Sequence, residues 1–456
     1  MNKIPVILIY DVGKTNKKIL LFDERYNIVH EESKPLPEIK DEDGFSCEDV
    51  NALTDWIKNS FASFVSDERF EIKAVNFSAY GASFVYLNEN GKIFLPLYNY
   101  LKPHSTVLQK KFYNDYGGEN LIARQTASPV LGSLNSGMQL YRLKYEKPEA
   151  FAKIKYALHL PQYLSYLLCG TVCSDITSIG CHTALWDFEK NEYHKWVKQE
   201  GIEEKFPPIK NPGAIAGYTR SGIPAGTGLH DSSAALIPYL ASFTEPFILL
   251  STGTWSISLN PFNHSQLSGD ELKQDCLCYL SYEGKPIKAS RLFAGYEHEQ
   301  QAKRLAQYFN TPVDQYKNVN TDFELIKKMR SSIKNGPRAF VDQFKFGKRS
   351  LSEFNIYKEA YHQLMADIIE QQVISTNLVL KGTPVTRIYV DGGFSGNPVY
   401  MHLLTNAFAG IEVYAASTPQ ASALGAALAI HSHWNSNELP ANLIALKLYS
   451  AVQETH

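Results

Sequence analysis

The apolar runs Ile7-Leu-Ile-Tyr10 and Ile19-Leu-Leu-Phe22 flank a polar stretch that carries Asp11, Gly13, Lys14, Thr15, Asn16 and Lys17. Short apolar runs bounding a polar, glycine-containing turn predict a β-hairpin. The same design returns at Pro246 to Leu259, where an apolar run leads into Ser251-Thr-Gly-Thr-Trp-Ser256 and a second run follows. Two such hairpins in one chain predict a duplicated fold. A third glycine turn lies at Arg387-Ile-Tyr-Val-Asp-Gly-Gly-Phe-Ser-Gly-Asn397, where a strand pattern runs into Gly392-Gly393 and a helix start spans Ser395 to Asn397.

Between these landmarks, strand-like and helical patterns alternate. Glu71 to Phe77 and Phe84 to Leu87 read as strands, the second turning at Asn88-Glu-Asn-Gly91. Ser136 to Leu168 reads as helix broken at Pro148 and Pro161, and a strand pair is expected around 172–187. The second half carries helical patterns at 291–308 and 355–380. In the latter, Tyr361, Leu364, Met365, Ile368 and Ile369 form one apolar stripe expected to pack in a core. After Pro419, the small residues of 421–430 suit a helix packed tightly on its neighbours. Mixed strands and helices predict α/β layers. A chain of 456 residues exceeds what one core serves, so two domains with a ligand cleft are expected, the crossing falling near 241–244.

Charged residues make up 20% of the chain and the formal net charge is −2, without a basic stripe or long charge run. Nucleic acid and anionic membranes are therefore poor partners, and a small-molecule ligand is expected. With no run of about eighteen apolar residues and no leader pattern, the expectation is a cytoplasmic protein. The six cysteines (Cys47, Cys169, Cys173, Cys181, Cys276, Cys278) lack paired C-x-x-C spacing, so they read as small buried hydrophobes and no zinc site is expected.

At the first hairpin tip, Gly13 lets the backbone approach an anion, Lys17 can set an ammonium beside phosphate oxygens, and Asp11 can hold a hydrated magnesium ion. That combination points to a nucleoside triphosphate. Gly13-Lys-Thr15 is not a P-loop, because that motif needs a glycine five positions earlier, where Leu8 stands. In Gly226-Thr-Gly-Leu-His-Asp-Ser-Ser-Ala-Ala235 a glycine-rich approach puts Asp231 at a helix start. The local pattern alone favours a helix N-cap; beside phosphate hairpins, Asp231 becomes the candidate to orient an acceptor hydroxyl and take its proton. His230 beside it can contact a substrate hydroxyl or be structural.

With these elements in order, the chain resembles the FGGY family of carbohydrate kinases, within the actin, hexokinase and heat-shock ATPase superfamily, over nearly its whole length. The matching stretches are Asp11 to Lys17, Gly226 to Ala235, Ser251 to Ser256, Gly392 to Asn397 and Thr418 to Ala427, with a weaker likeness at Ser174 to Ser178 and Leu185 to Asp187. The resemblance implies an α/β protein of two ribonuclease-H-like domains, 1–243 and 244–456, with a catalytic cleft between them that takes Mg-ATP and a sugar. It implies Asp231 as general base, with Gly13, Lys14, Thr15, Asn16, Lys17, Thr252, Gly253 and Thr254 on the phosphates. Gly392, Gly393, Ser395 and Asn397 would line adenosine, and Asp11 would hold Mg2+ through water. Ala82, Ser83, Phe84, Asn99, Tyr100, His230 and Asp231 would touch the sugar.

The chain departs from the family pattern in two places. Lys14 follows the hairpin glycine where threonine is usual, and Lys17 is read as replacing an arginine, which keeps charge but loses bidentate geometry. Where many relatives carry Trp-x-Asp-x-Arg, this chain has Tyr98-Asn-Tyr-Leu-Lys-Pro-His104. The His230-Asp231-Ser232 sequence and the tryptophan of the second hairpin resemble rhamnulokinase-type members, which implies a 6-deoxyketohexose such as L-rhamnulose or L-fuculose. A ketopentose or polyol kinase, a nucleotide-binding regulator of the same fold and an actin-like assembly protein are the alternatives. The expected partners are the sugar and ATP, with a homodimer left open.

Overall fold

The computed structural model describes residues 3–334, 344–418 and 420–450; Pro419, expected to precede the closing helix, lies outside them. Packing divides the chain into two units. Unit 1 comprises Met1–Ser242, Cys278–Pro286 and Pro419–Leu443, and unit 2 comprises Phe243–Leu277, Ile287–Thr418 and Ile444–His456. A single cut at 243/244 leaves segments 278–286 and 419–443 with the second half of the chain, whereas packing groups them with the first.

The main sheet of unit 1 is built from β1 (Ile4–Val12), β2 (Lys17–Asp23), β3 (Ile28–Lys34), β4 (Phe70–Ala79), β5 (Ile215–Tyr218), β6 (Pro224–Gly226) and β7 (Leu229–His230). Its order is β5-β6-β4-β1-β2-β3, with β7 also on β4. Both faces of β1 are covered, which is why its sequence is a continuous apolar run. Val6, Leu8, Tyr10 and Val12 pack toward Leu53, Ile57 and Phe61 of the helix Val50–Ser66. Ile7 and Ile9 face Ala234 and Ile237 of the helix Asp231–Ser242 and Leu424 and Ala427 of the helix Ala421–Ala429. Those two helices approach so closely that a Cβ on Gly425 would collide with the Ala234 carbonyl oxygen. β1 is parallel to β4, and β4 to β7, so their C-terminal ends, Val12, Ala79 and His230, share one edge. In parallel α/β sheets that edge is where ligands bind.

A second sheet, most of it in unit 2, repeats the plan with β8 (Phe247–Thr252), β9 (Ser256–Asn260), β10 (Cys276–Leu280), β11 (Pro286–Leu292), β12 (Arg387–Gly392), β13 (Glu412–Ser417) and β14 (Ala445–Tyr449), in the order β10-β11-β9-β8-β12-β13-β14. β8 and β9 form an antiparallel hairpin and β8 runs parallel to β12, as β1 does to β2 and β4. The helix Tyr357–Leu380 buries its expected stripe completely.

Local departures have local causes. The strand pair expected at 172–187 does not form: Ser174–Asp175 pairs with Ile209–Lys210 and Trp186–Asp187 with Glu192–Tyr193, and between them the Asp175 carboxylate accepts from the N–H groups of Thr177 and Ser178 and starts a single helical turn, Ile176–Ile179. The broken helix of 136–168 contains a strand, Tyr156–His159, paired with Phe84–Leu87. The helix expected from 291 starts at Ala294, since Arg291 and Leu292 finish β11.

Candidate active site

Alternation along the first hairpin sorts its charges. Asp11 pairs in register with Lys18, and Val12 with Lys17. Successive residues of a strand face opposite sides, so Asp11 and Lys18 share one face while Val12 and Lys17 share the other. The second face is core. Lys17 is 1% exposed, ion-paired with Glu48, and donates to the Lys14 carbonyl at 3.0 Å. The Tyr80 hydroxyl donates to the other Glu48 oxygen. Lys14 pairs with Glu38 at 2.8 Å, which holds the Glu38 carboxyl below its ordinary value, and its ammonium lies 5.8 Å from the Tyr80 ring centre. The N–H of Gly13 closes the turn on the Asn16 carbonyl at 3.0 Å. The cation left on the face of Asp11 is Lys18, whose ammonium donates to Gln420 Oε1 at 2.6 Å and whose charge acts on Asp11.

Asp11 accepts from the Ser422 hydroxyl at 2.9 Å, across 411 residues of chain. Burial pushes its carboxyl up to about 6, the Ser422 bond opposes the shift, and the negative charge of Asp231 adds to it. Asp231 opens the helix Asp231–Ser242 and accepts from the Ser232 N–H at 2.6 Å. Its side chain is 34% exposed, yet its partly enclosed setting pushes the carboxyl up to about 6. A carboxylate raised by the charge of a second one is a place that suits a cation. Among the described residues no group of three or more His, Cys, Asp or Glu could hold a metal by itself. The chemistry of Asp11 beside the charge of Asp231 fits a hydrated magnesium ion, which keeps several waters and takes one or two carboxylates.

His230 Nε2 lies 3.3 Å from Asp231 Oδ1, and burial lowers the imidazole to about 4, so it is neutral at pH 7. Tyr80 and Tyr100 meet edge to face at 6.1 Å, and burial together with the charges of Asp231, Glu48 and Glu38 raises the Tyr100 phenol. The remaining residues expected at the sugar diverge. Ala82 adopts φ +57° and its carbonyl accepts from Gln139. Ser83 is buried, and Phe84 is 0% exposed with its ring 4.2 Å from that of His159, because the strand pair with Tyr156–His159 draws both inside. The amide of Asn99 is spent on its own loop and the Ser46 carbonyl. Lys102, in the stretch that departs from the family pattern, is held at 2.6 Å by both Asp41 and Asp43.

In unit 2 the second hairpin carries no charge and is shaped by backbone proximity. Thr252 Oγ1 donates to the Asp391 carbonyl at 2.6 Å and accepts from the Phe394 N–H at 2.9 Å, while the Thr252 carbonyl accepts from the Gly393 N–H at 2.8 Å. A Cβ on Gly392, where φ is +86°, would collide with the Thr252 carbonyl oxygen, and one on Gly295 with that of Gly253. Around this junction lies a cavity of about 370 Å³ lined by Gly253, Gly295, His298, Tyr316, Gly393 and Asn397, among others. A Cβ on Gly393 or Gly396 would meet no atom within 4 Å, so both leave a flat, open wall. Asn397 caps the helix Pro398–Ala407 and donates to the Tyr361 hydroxyl at 2.7 Å; Ser395 turns its hydroxyl back onto the Gly392 carbonyl. Size, flat wall and aromatic rim fit a nucleoside.

Sequence reasoning missed Lys18, Ser422, Gly295, His298 and Tyr316. For Lys18 half a signal existed: strand alternation sets Lys17 and Lys18 on opposite faces, and the hairpin register decides which of them joins Asp11. The other four come from elements remote in sequence and leave no local mark.

Residues 6–236 match the N-terminal domain of the FGGY family of carbohydrate kinases, and residues 244–438 match the C-terminal domain described as carbohydrate kinase FGGY. Similar proteins include the rhamnulokinase of Mannheimia succiniciproducens, 24% identical over 54% of this chain and 52% of that one. A second is the rhamnulokinase of Halalkalibacterium halodurans, 26% identical over the same shares. The chain thus spans about half the length of the curated relatives it matches. Its fold is that of a carbohydrate kinase from Novosphingobium aromaticivorans, with a TM-score of 0.81 at 21% identity over 99% of this chain and 95% of that one. A ligand-bound xylulose kinase from Lactobacillus acidophilus gives 0.79 at 17% over 98% and 94%. Among the described residues no helix is long and apolar enough to cross a membrane.

Proposed function

The chain belongs to the FGGY family of carbohydrate kinases, and on that premise we propose that it transfers the γ-phosphoryl group of ATP, with Mg2+, to a hydroxyl of a sugar. The observation that carries this reading is Asp231, a partly exposed carboxylate at the ligand edge of the unit 1 sheet, pushed up to about 6 beside Asp11. A carboxylate so tuned accepts a proton readily while remaining ionised at neutral pH. Asp231 takes the proton of the acceptor hydroxyl, the hydroxyl oxygen bonds to the γ-phosphorus, the bond to the bridging oxygen breaks, and ADP departs. Asp11 holds the hydrated magnesium ion. Lys18, on the open face, supplies the cationic contact first assigned to Lys17, with Gly13, Lys14, Thr15 and Asn16 shaping the turn. Thr252, Gly253 and Thr254 receive phosphate, and Gly392, Gly393, Ser395 and Asn397 border adenosine.

For the acceptor we propose a 6-deoxyketohexose such as L-rhamnulose or L-fuculose. The rhamnulokinase relatives and the Tyr80–Tyr100 pair support it, since aromatic edges suit a methyl-bearing sugar. A ketopentose or polyol is the second reading, favoured by the likeness to a xylulose kinase fold. ADP release with Mg-ATP across a panel of ketoses and polyols tests both. One 6-deoxyketose is expected to drive turnover, and Asp231→Asn to lower kcat about 100- to 10,000-fold while ATP still binds. Turnover by no acceptor, or an undiminished Asp231→Asn protein, overturns the reading.

A further inference from the structure

Asp231 has little of its own to fix its aim. β7 is two residues long and pairs with β4 only at Ser78 and Ala79, and Asp231 follows at once as the first residue of its helix. Its direction is inherited from the His230 peptide, and that peptide is held by a side chain. The His230 N–H donates to Thr177 Oγ1 at 3.0 Å. The Thr177 hydroxyl in turn donates to Asp175 Oδ1, which also accepts from the N–H groups of Thr177 at 2.9 Å and Ser178 at 3.1 Å. Asp175 and Thr177 are both fully buried. With its hydrogen committed to the carboxylate, the hydroxyl presents only lone pairs to His230, so it has one orientation. On the other side, Gly81 leaves room for the His230 ring where a Cβ would press on the imidazole.

We propose that Thr177 is a positioning residue for Asp231, its hydroxyl locked by the buried Asp175 carboxyl so that the His230 peptide aims the base at the acceptor hydroxyl. This rests on the kinase reading of Asp231. A buried carboxyl is expensive, and burial raises Asp175 to about 7 even against the bonds from Thr177 and the backbone. Its second oxygen, Oδ2, has no hydrogen-bonding partner among the described residues. A proton taken up there leaves Oδ1 free to hold Thr177, so the device works in either charge state. A capping carboxylate alone would need no third bond, because the two backbone N–H groups already satisfy Oδ1. The third bond, through the Thr177 hydroxyl, reaches the residue before the base.

The test compares the full-length wild type with Thr177→Val, which keeps the shape and removes the hydroxyl, and Thr177→Ser, which restores it. Thr177→Val is expected to lower kcat about 10- to 100-fold with the KM values for ATP and acceptor within about threefold, since misaiming a bound reactant costs rate rather than binding. Thr177→Ser is expected to return to within about threefold of wild type. A Thr177→Val protein with unchanged kcat, or one whose loss matches its unfolded fraction and is not rescued by serine, overturns the proposal. If Thr177→Val does not fold, Asp175→Ala, which removes the acceptor that locks the hydroxyl, takes its place, with an expected loss of about 3- to 10-fold in kcat alone; an unchanged kcat there overturns the proposal equally. If the wild type phosphorylates no acceptor, the kinase reading fails by itself. The positioning claim is then decided by the His230 imidazole resonance, assigned by its loss in His230→Gln: it stands if the signal moves in Thr177→Val and returns in Thr177→Ser, and falls if the signal stays put.

Discussion

The two hairpins share a backbone plan and use opposite chemistry. Each is an antiparallel pair whose first strand runs parallel to a neighbour across the sheet. The first carries Asp11, Lys14, Lys17 and Lys18, and its shape depends on ion pairs with Glu38 and Glu48. The second, Ser251 to Ser256, has no ionisable side chain and depends on glycines that let backbone touch backbone, Gly392 against Thr252 and Gly295 against Gly253. Oriented N–H groups bind an anion without a counter-charge, whereas a metal and a reacting phosphoryl group need fixed charge nearby. The same scaffold is thus built once with charge and once without.

The largest effect should come from the neutral hairpin. Gly392→Ala places a Cβ into the Thr252 carbonyl at a left-handed φ of +86°, so β8 and β12 must separate at their ends. The expected outcome is a loss of nucleotide affinity above about 100-fold, read by calorimetry, with a lowered Tm. An alanine protein that binds ATP normally would mean that the close approach does not shape the nucleotide site.

An intermediate effect should separate the two lysines of the charged hairpin. Lys18→Met is expected to reduce kcat/KM for ATP about 10- to 100-fold at unchanged Tm. Lys17→Met should instead destabilise the fold by about 3–5 kcal/mol, because it leaves the buried Glu48 carboxylate unpaired. Steady-state kinetics beside thermal unfolding distinguishes the pair, and the reverse pattern would return the phosphate contact to Lys17.

The smallest effect is in pH. Burial pushes the carboxyls of Asp11 and Asp231 up to about 6, so kcat/KM should fall about tenfold for each unit below pH 6, or more steeply if both must be ionised. Nucleotide affinity at the neutral hairpin should stay flat over the same range. The stability change has the opposite sign. Folded carboxyls raised from 3.8 to about 6 bind protons more tightly than the unfolded chain does, so these two groups add stability as pH falls from 6 toward 4. Activity lost between pH 6 and 5 without a lower Tm would assign the loss to the site; a parallel fall in Tm would assign it to unfolding.

The sequence by itself determined a good deal. The apolar runs of β1 and β8, the glycine turns that follow them, Asn397 as a helix cap and Asp231 at a helix start are local patterns, and local patterns follow from steric and hydrogen-bonding rules that act within a few residues. Only the tertiary structure decided which lysine faces the ligand edge. In a strand a shift of one residue reverses the facing, and the pairing of Asp11 with Lys18 buries Lys17 beside Glu48. It also decided that Phe84 belongs to a core, because the remote segment Tyr156–His159 pairs with its strand, His159 opposite Phe84. It brought Ser422 to Asp11 and Thr177 to His230. Contacts of that range depend on how whole elements pack and leave no periodicity in the chain, so the residues that shape and aim the site could be read only from the fold.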